Sequence, residues 1–429
     1  MSASARQEKP AAAGAEHFAS NTRPIYPPLI SGQGARIEDA DGNTFIDCAA
    51  QTLNMNLGQS HPSVLEAVQE QLRRLTYAST RYSSDVAYRL HDRLIELLPE
   101  GLEKINMTSV IGSAANECAL KAARSRTGRE QVISRIGSHL GQTTEAMRVS
   151  GKHWERSYLG ERRTHFLPAP YCYRCPFGQT PDTCSVECLD ELETLVRADD
   201  HDVAAAIVEP IMVDAGVLTP PQKYHRRLRE ICDDCEIPLI FDEIQTGFGW
   251  LGVMFAMELI DTTPDLVSLG KGLGAGFPIA ATAFKPEYDV LSYGEHEMTS
   301  GAHVLSCAAS LAMIDYLQAP GTLEAIAAKG RAAREVIDSA TAAHPSIGDV
   351  RGHGLLLGIE VIDPSDGAAD PVGASRLATA LRQRGVMLRL SGVGVASNVL
   401  QFKPPVVITE DEIAEVAYAL GKSLEEQAL

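Results

Sequence analysis

Two apolar runs in the middle of the chain, "VAAAIVEPIM" and "EIPLIFDEI", are too continuous to leave one face in water. Strands of that kind belong to parallel sheets covered by helices on both sides. Between them, "PPQKYHRRLREICDD" begins on prolines suited to a helix entrance and places Tyr224, Leu228 and Ile231 on one face. That is a β-α-β unit, and it commits the chain to an α/β fold. Further strands are predicted at "EQVISRI", "DLVSL" and "PIAATAF".

In an open α/β sheet, ligands gather beyond the carboxyl ends of the strands. Glu209, Asp242 and Lys271 each directly follow an apolar run, which makes them the polar residues to watch.

With 429 residues the chain has room for one large domain and a smaller one. After about residue 320 the pattern changes to an Ala-rich helix, the segment "VRGHGLLLGIEVID", and a helix carrying Leu377 and Leu381 that stops at Gly385. A last helix opens on the capping box Thr409 to Glu412. The hairpin signal in "IEDADGNTFIDCAA" marks a segment expected to join that smaller unit. The expected division is a flexible tail over 1–23, a small α+β domain built from 24–76 and 320–429, and a large domain over 77–319.

Lys plus Arg number 38 against 56 Asp plus Glu, a net charge of -18 that repels nucleic acid and anionic membrane. The opening "MSASARQEKPAAAGAEHFAS" lacks the apolar segment of a secretory signal, and no stretch is apolar for long enough to span a bilayer. The expectation is a cytoplasmic protein that acts on small molecules. Of nine cysteines, Cys172, Cys175, Cys184 and Cys188 fall in "YCYRCPFGQTPDTCSVEC". That spacing admits a structural zinc, against the alternative of a loop of reduced thiols, and no metal is assigned a part in the chemistry.

Three features recur in proteins that hold a phosphorylated cofactor and use a lysine as nucleophile, although each by itself also fits a Ser-capped helix, a salt bridge or helix cap, and a solvated surface lysine. In "SVIGSAANECALKAAR", Gly112 and Ser113 immediately precede an Ala-rich helix, whose free N–H groups and positive dipole end form an anion site. Asp242 stands at the mouth of a buried strand, where a carboxylate is costly unless a cation meets it, such as a protonated pyridine nitrogen. Lys271, in "SLGKGLGAGFP", is followed at once by glycines that would let the backbone pass close to a planar ligand. A lysine held in a dry pocket has a depressed pKa and serves as a nucleophile for a Schiff base.

Together and in this order, with "FDEIQTGFGWLG" ahead of "SLGKGLGAGFP", these segments resemble the class III aminotransferases, pyridoxal 5'-phosphate enzymes of fold type I. The resemblance implies a large domain with a mostly parallel seven-stranded type of sheet, a small α+β domain from both chain ends, and a homodimer. It makes Lys271 the catalytic lysine that holds the cofactor and moves protons, and Asp242 the partner of the pyridine nitrogen. Ile244 would lie under the ring, Gln245 near the phenolic oxygen, and Gly112, Ser113 and Ala114 would cup the phosphate. Thr299, in "HEMTSGAHVLSCAA", would reach the phosphate of the neighbouring subunit.

Three positions depart from the family. His139 stands where an aromatic residue usually stacks on the cofactor, and Trp250 stands where arginine is usual and is assigned to packing. Gln401, in "SNVLQFKPPVVIT", occupies the place of the arginine that grips a substrate α-carboxylate. Glu209 matches the glutamate that pairs with this arginine in ornithine-type and 4-aminobutyrate-type relatives, so it is left without that partner. A substrate with its own positive charge, such as an amine, diamine or amino sugar, would meet both facts. The alternative is that Lys403 or Arg389 takes over the arginine's role. The same cofactor chemistry also serves an epimerase, racemase or lyase, and a protein that has lost chemistry would keep the fold alone.

Overall fold

The computed structural model describes residues 19, 26–152, 159, 163–198, 201–342, 344–391 and 395–427. Apart from residue 19, the expected tail 1–23 lies outside them. A seven-stranded sheet runs in the order Lys104–Ser109, Ala280–Phe284, Leu266–Leu269, Leu239–Asp242, Val203–Val208, Gln131–Arg135, Thr164–Leu167. Its last five strands are parallel, and Ala280–Phe284 runs against both of its neighbours.

The central strands are buried along their whole length, as their unbroken apolar runs predict. Helix Gln222–Asp234 links two of them and buries Tyr224, Leu228 and Ile231 against the sheet. Helix Gly112–Thr127 packs on the sheet with a face of alanines small enough for close approach, and it ends on Gly128 in the left-handed conformation.

A second sheet pairs the hairpin Arg36–Asp39 and Thr44–Asp47 with strand Val386–Met387 from late in the chain, in parallel. The hairpin turn is tied by the Asp39 carboxylate, which accepts from the Asp41 and Asn43 N–H groups. A third sheet, in the order Ile347–His353, Leu356–Val361, Val399–Phe402, Arg389–Leu390, carries Gln401. The final helix Glu410–Gln427 starts on the predicted capping box: Thr409 N–H donates to Glu412 and Glu412 N–H donates back to the Thr409 hydroxyl.

Candidate active site

The polar residues collect where the parallel strands end. Lys271 follows strand Leu266–Leu269 and opens the short turn Lys271–Gly274 with φ +44°, a left-handed conformation rare for a residue with a side chain. The chain thereby turns sharply enough for the half-buried lysine to face a cavity of about 230 Å³ lined also by Asn54, Ile111, Gly112, Phe277 and Ile279. Burial lowers the Lys271 pKa, while Asp214 and Asp242 oppose the shift. More of the free amine is then present near neutrality than a surface lysine would offer.

Asp242 ends the neighbouring strand Leu239–Asp242 and is 4% exposed. Its Oδ2 accepts from Asn116 Nδ2 at 2.7 Å and its Oδ1 from the Ile244 N–H at 2.9 Å. Burial raises its pKa and these two bonds hold the shift back. Asn116, which also donates to the Leu140 carbonyl at 2.7 Å, is a site residue that sequence reasoning missed. It sits inside a helix of small residues, where no local pattern marks a polar side chain as anything but tolerated. Adjacent Glu243 is also fully buried, but it accepts from the Ala256 and Met257 N–H groups and so caps a helix.

The start of helix Gly112–Thr127 lies against the Asp242 turn. A Cβ added to Gly112 would stand 2.6 Å from Ile244 Cδ1, so only glycine fits there. No side chain caps this helix. Ala114 and Ala115 turn their N–H groups back to the Ile111 carbonyl at 3.0 and 3.2 Å, so the Ala114 N–H is spent within the helix start. Gly112 and Ser113 have no protein acceptor for theirs among the described residues, which leaves two donors at the positive end of the helix. Ser113 Oγ accepts from the Gln142 N–H at 2.9 Å.

Glu209 follows strand Val203–Val208 and is 3% exposed. Its Oε1 accepts from the His139 N–H at 3.0 Å, whereas Oε2 is buried with no hydrogen-bond partner. Burial and the Asp242 and Asp214 charges push its carboxyl up to about 8, against the pull of the His139 N–H and Lys152. Gln401 is completely buried and turned away from it: Nε2 donates to the Val213 carbonyl at 2.8 Å, and Oε1 accepts from Lys403 Nζ at 2.6 Å. Among the described residues Glu209 is bonded by the His139 N–H, while Lys403 and Arg389 are engaged elsewhere. Arg389 Nη2 lies 3.1 Å from Asp214 Oδ1, and Asp214 also contacts the Lys152 ammonium. Asp214 and Lys152 are further residues the sequence did not single out, although Asp214 stands in the loop that follows Glu209.

The family model for class III aminotransferases matches residues 17–424. An acetylornithine aminotransferase from Methanopyrus kandleri is 35% identical over 95% of this chain and 98% of its own. A diaminobutyrate–2-oxoglutarate aminotransferase from Rhizobium meliloti is 31% identical (92% and 87% covered), and a leucine/methionine racemase from Thermococcus litoralis is 30% identical (93% and 91%). Among solved structures, an amine transaminase from an uncultivated Pseudomonas species with pyridoxal phosphate bound superposes with a TM-score of 0.85 at 28% identity, covering 99% of both chains. The chain belongs to the class III aminotransferases.

The residues of this aminotransferase fit the pyridoxal phosphate its family uses. The buried Asp242 carboxylate suits a ring cation, the free N–H groups of Gly112 and Ser113 suit a phosphate, and the missing Cβ of Gly112 lets Ile244 pack against this helix start. The glycines beside the lysine likewise give way to side chains. A Cβ on Gly272 would meet Trp250 Cζ3 at 2.8 Å, one on Gly274 would meet Ile279 Cγ2 at 3.1 Å, and one on Gly276 would meet Met55 Sδ at 2.6 Å. They make room for protein, in particular for the fully buried Trp250, whose Nε1 donates to the Pro404 carbonyl at 2.8 Å. The expectation that they clear space for a flat ligand is corrected: each of the three accommodates a protein side chain.

Gln245 is 5% exposed beside this site, and His139 is half-buried. Thr299 is exposed, does not line the Lys271 cavity, and accepts from the Tyr77 hydroxyl at its carbonyl, 2.7 Å away. Cys172, Cys175, Cys184 and Cys188 are half-buried free thiols. Among the described residues no group of three or more His, Cys, Asp or Glu could hold a metal ion. Their loop is tied instead by Gln179, which bonds Ser185 and Glu187, and by Lys223 Nζ on the Pro181 and Cys184 carbonyls.

Proposed function

We propose that this aminotransferase moves an amino group between an amine, diamine or amino sugar (or the matching carbonyl compound) and an amino or 2-oxo acid. The observation that carries the reading is Glu209, a buried carboxylate with one oxygen unpartnered at the edge of the site. A buried carboxylate in that state favours a ligand that brings a positive charge. The diaminobutyrate aminotransferase among the relatives supports it.

Bound pyridoxal phosphate supplies the aldehyde that takes up an amino group and the ring that absorbs electrons when a C–H bond breaks. In this reading the Lys271 amine holds the cofactor and carries the proton between substrate carbon and cofactor carbon. Asp242, set by Asn116, keeps the ring nitrogen protonated. Gly112 and Ser113 bind the phosphate, His139 and Ile244 flank the ring, and Gln245 meets the phenolic oxygen.

Thr299 serves a second copy of the chain, so the active form is a homodimer. Its exposure, together with Tyr77, Tyr82 and Tyr293 left uncovered, supports that assignment. The sheet shared by chain ends supports a small domain of 24–76 and 320–429 around a large one of 77–319. Among the described residues no helix is long and apolar enough to cross a membrane, in keeping with a cytoplasmic setting.

The test is a panel of donors scored by the cofactor's absorption change, in wild type and Glu209→Gln. Diamines should lose about tenfold or more in apparent affinity in the variant, and monoamines that carry no second cationic group little. Equal response of both classes would sink the cationic-substrate reading. The racemase among the relatives favours a second reading. Deuterium uptake into an amino acid from deuterated water, with no pyridoxamine formed, would decide for it.

A further inference from the structure

Strand Lys104–Ser109 leads within three residues to Gly112, where helix Gly112–Thr127 opens and the proposed phosphate cradle lies. These two elements also hold a surface loop from far along the chain. Among the described residues of 292–300, His296 alone is buried, at 8% exposed, and Thr299 stands three residues beyond it.

The attachment is dense. The His296 carbonyl accepts from the Thr108 hydroxyl at 2.7 Å and from Asn106 Nδ2 at 3.3 Å. Its ring bridges strand and helix: Nε2 lies 3.1 Å from Ser109 Oγ, and Nδ1 lies 3.4 Å from Lys121 Nζ. An ammonium can only donate, so Nδ1 accepts and Nε2 carries the hydrogen offered to Ser109. Burial and then Lys121 lower the His296 pKa, against the pull of Glu117, and so favour the neutral ring that this bridge requires. Lys121 also donates to the Glu295 carbonyl at 3.0 Å. Past Thr299 the chain returns to the same strand. The Ala302 N–H donates to the Met107 carbonyl at 3.0 Å, and a Cβ on Gly301 would stand 2.4 Å from the Thr108 carbonyl oxygen. Thr299 lies between these two attachments, exposed, with its own carbonyl taken by the Tyr77 hydroxyl.

We propose that His296 is the positioning residue for Thr299: it fixes, on the phosphate cradle of its own chain, the loop that lends a hydroxyl to the phosphate site of a second copy. The assignment rests on the homodimer reading of Thr299 above. It ties one chain's cradle to its neighbour's, because the elements that grip His296 are those that present Gly112 and Ser113.

The apoenzyme is titrated with pyridoxal phosphate, and borohydride trapping on Lys271 reads the occupancy. His296→Ala should raise the dissociation constant about tenfold, and His296→Gln, whose amide can still donate to Ser109, less than about threefold. Mixed dimers with two affinity tags and one intact Lys271 per dimer separate positioning from damage to the altered chain. With Lys271→Ala and His296→Ala on the same chain, the trapping site belongs to the wild-type chain and should still bind about tenfold more weakly. With the two changes on opposite chains, the trapping site belongs to the His296→Ala chain and should bind within about twofold of wild type. A loss that stays with the altered chain, or no loss at all, overturns the assignment. Should His296→Ala fail to fold, Lys121→Met, at an exposed position, decides in the same two arrangements, with about threefold expected in place of tenfold. If the wild-type protein is a monomer, or Thr299→Ala leaves cofactor affinity unchanged, the homodimer reading falls and takes this assignment with it. A loss in Thr299→Ala that His296→Ala does not reproduce removes only the assignment.

Discussion

Replacing Glu209 by glutamine should alter the stability of the cofactor-free protein in a way that depends strongly on pH. The native side chain has its pKa raised from 4.5 to about 8, first by burial and then by Asp242 and Asp214. Between those two values the folded protein holds a proton that the unfolded chain has released, so folding stability falls as pH rises through this window. At about 1.4 kcal/mol per unit, ionising Glu209 costs the fold roughly 5 kcal/mol by pH 9 and under about 1 kcal/mol at pH 5. Glutamine keeps an oxygen for the His139 N–H but leaves an amide hydrogen unpartnered, at about 1–2 kcal/mol. The variant should therefore be slightly less stable than wild type at pH 5, cross it near about pH 6, and exceed it by roughly 3 kcal/mol at pH 9. Urea unfolding of both proteins across that range, at one protein concentration, measures the difference directly. A difference that does not change with pH would refute the account of Glu209 as a buried carboxylate with an unmatched oxygen.

An added methyl should be resisted at both glycine positions. Gly112→Ala should weaken cofactor binding about tenfold or more, measured by titrating the apoenzyme, because its Cβ would push Ile244 out of place at the helix start proposed to hold the phosphate. Gly272→Ala should cost about 1–3 kcal/mol in urea unfolding of the cofactor-free protein, since the fully buried Trp250 has nowhere to go. Asn116→Ala should slow the half-reaction with any donor by about tenfold without changing donor preference, because it releases Asp242 and touches no substrate. Lys271→Ala should abolish borohydride trapping of the cofactor on the chain, as read by mass spectrometry.

Much of the fold was legible in local pattern. The apolar runs over Val203–Val208 and Leu239–Asp242 identified fully buried strands, and the spacing of Tyr224, Leu228 and Ile231 identified the helix between them, because each pattern reports the surface that element must bury. The capping box at Thr409 was readable for the same reason: its bonds span three residues. Lys271, Asp242 and Glu209 could be singled out because a polar residue ending a buried strand is conspicuous. Asn116, Asp214 and Lys152 could not, since Asn116 lies 126 positions from Asp242 and Lys152 lies 62 from Asp214. The glycines after Lys271 misled for a related reason, as Gly272 and Gly276 accommodate Trp250 and Met55 from distant parts of the chain.

The order of residues along the chain determined an α/β sheet, a lysine at a strand end and a helix start able to hold a phosphate, because propensity, burial period and capping act over a few neighbours. Tertiary structure decided which charges meet. Glu209 kept an oxygen unpaired, Gln401 turned to a backbone carbonyl and Lys403, and Arg389 came to lie across a ladder from Gln401. Those outcomes depend on strand register and on burial within a shared interior, where the cost of an unmatched charge is set by everything folded around it.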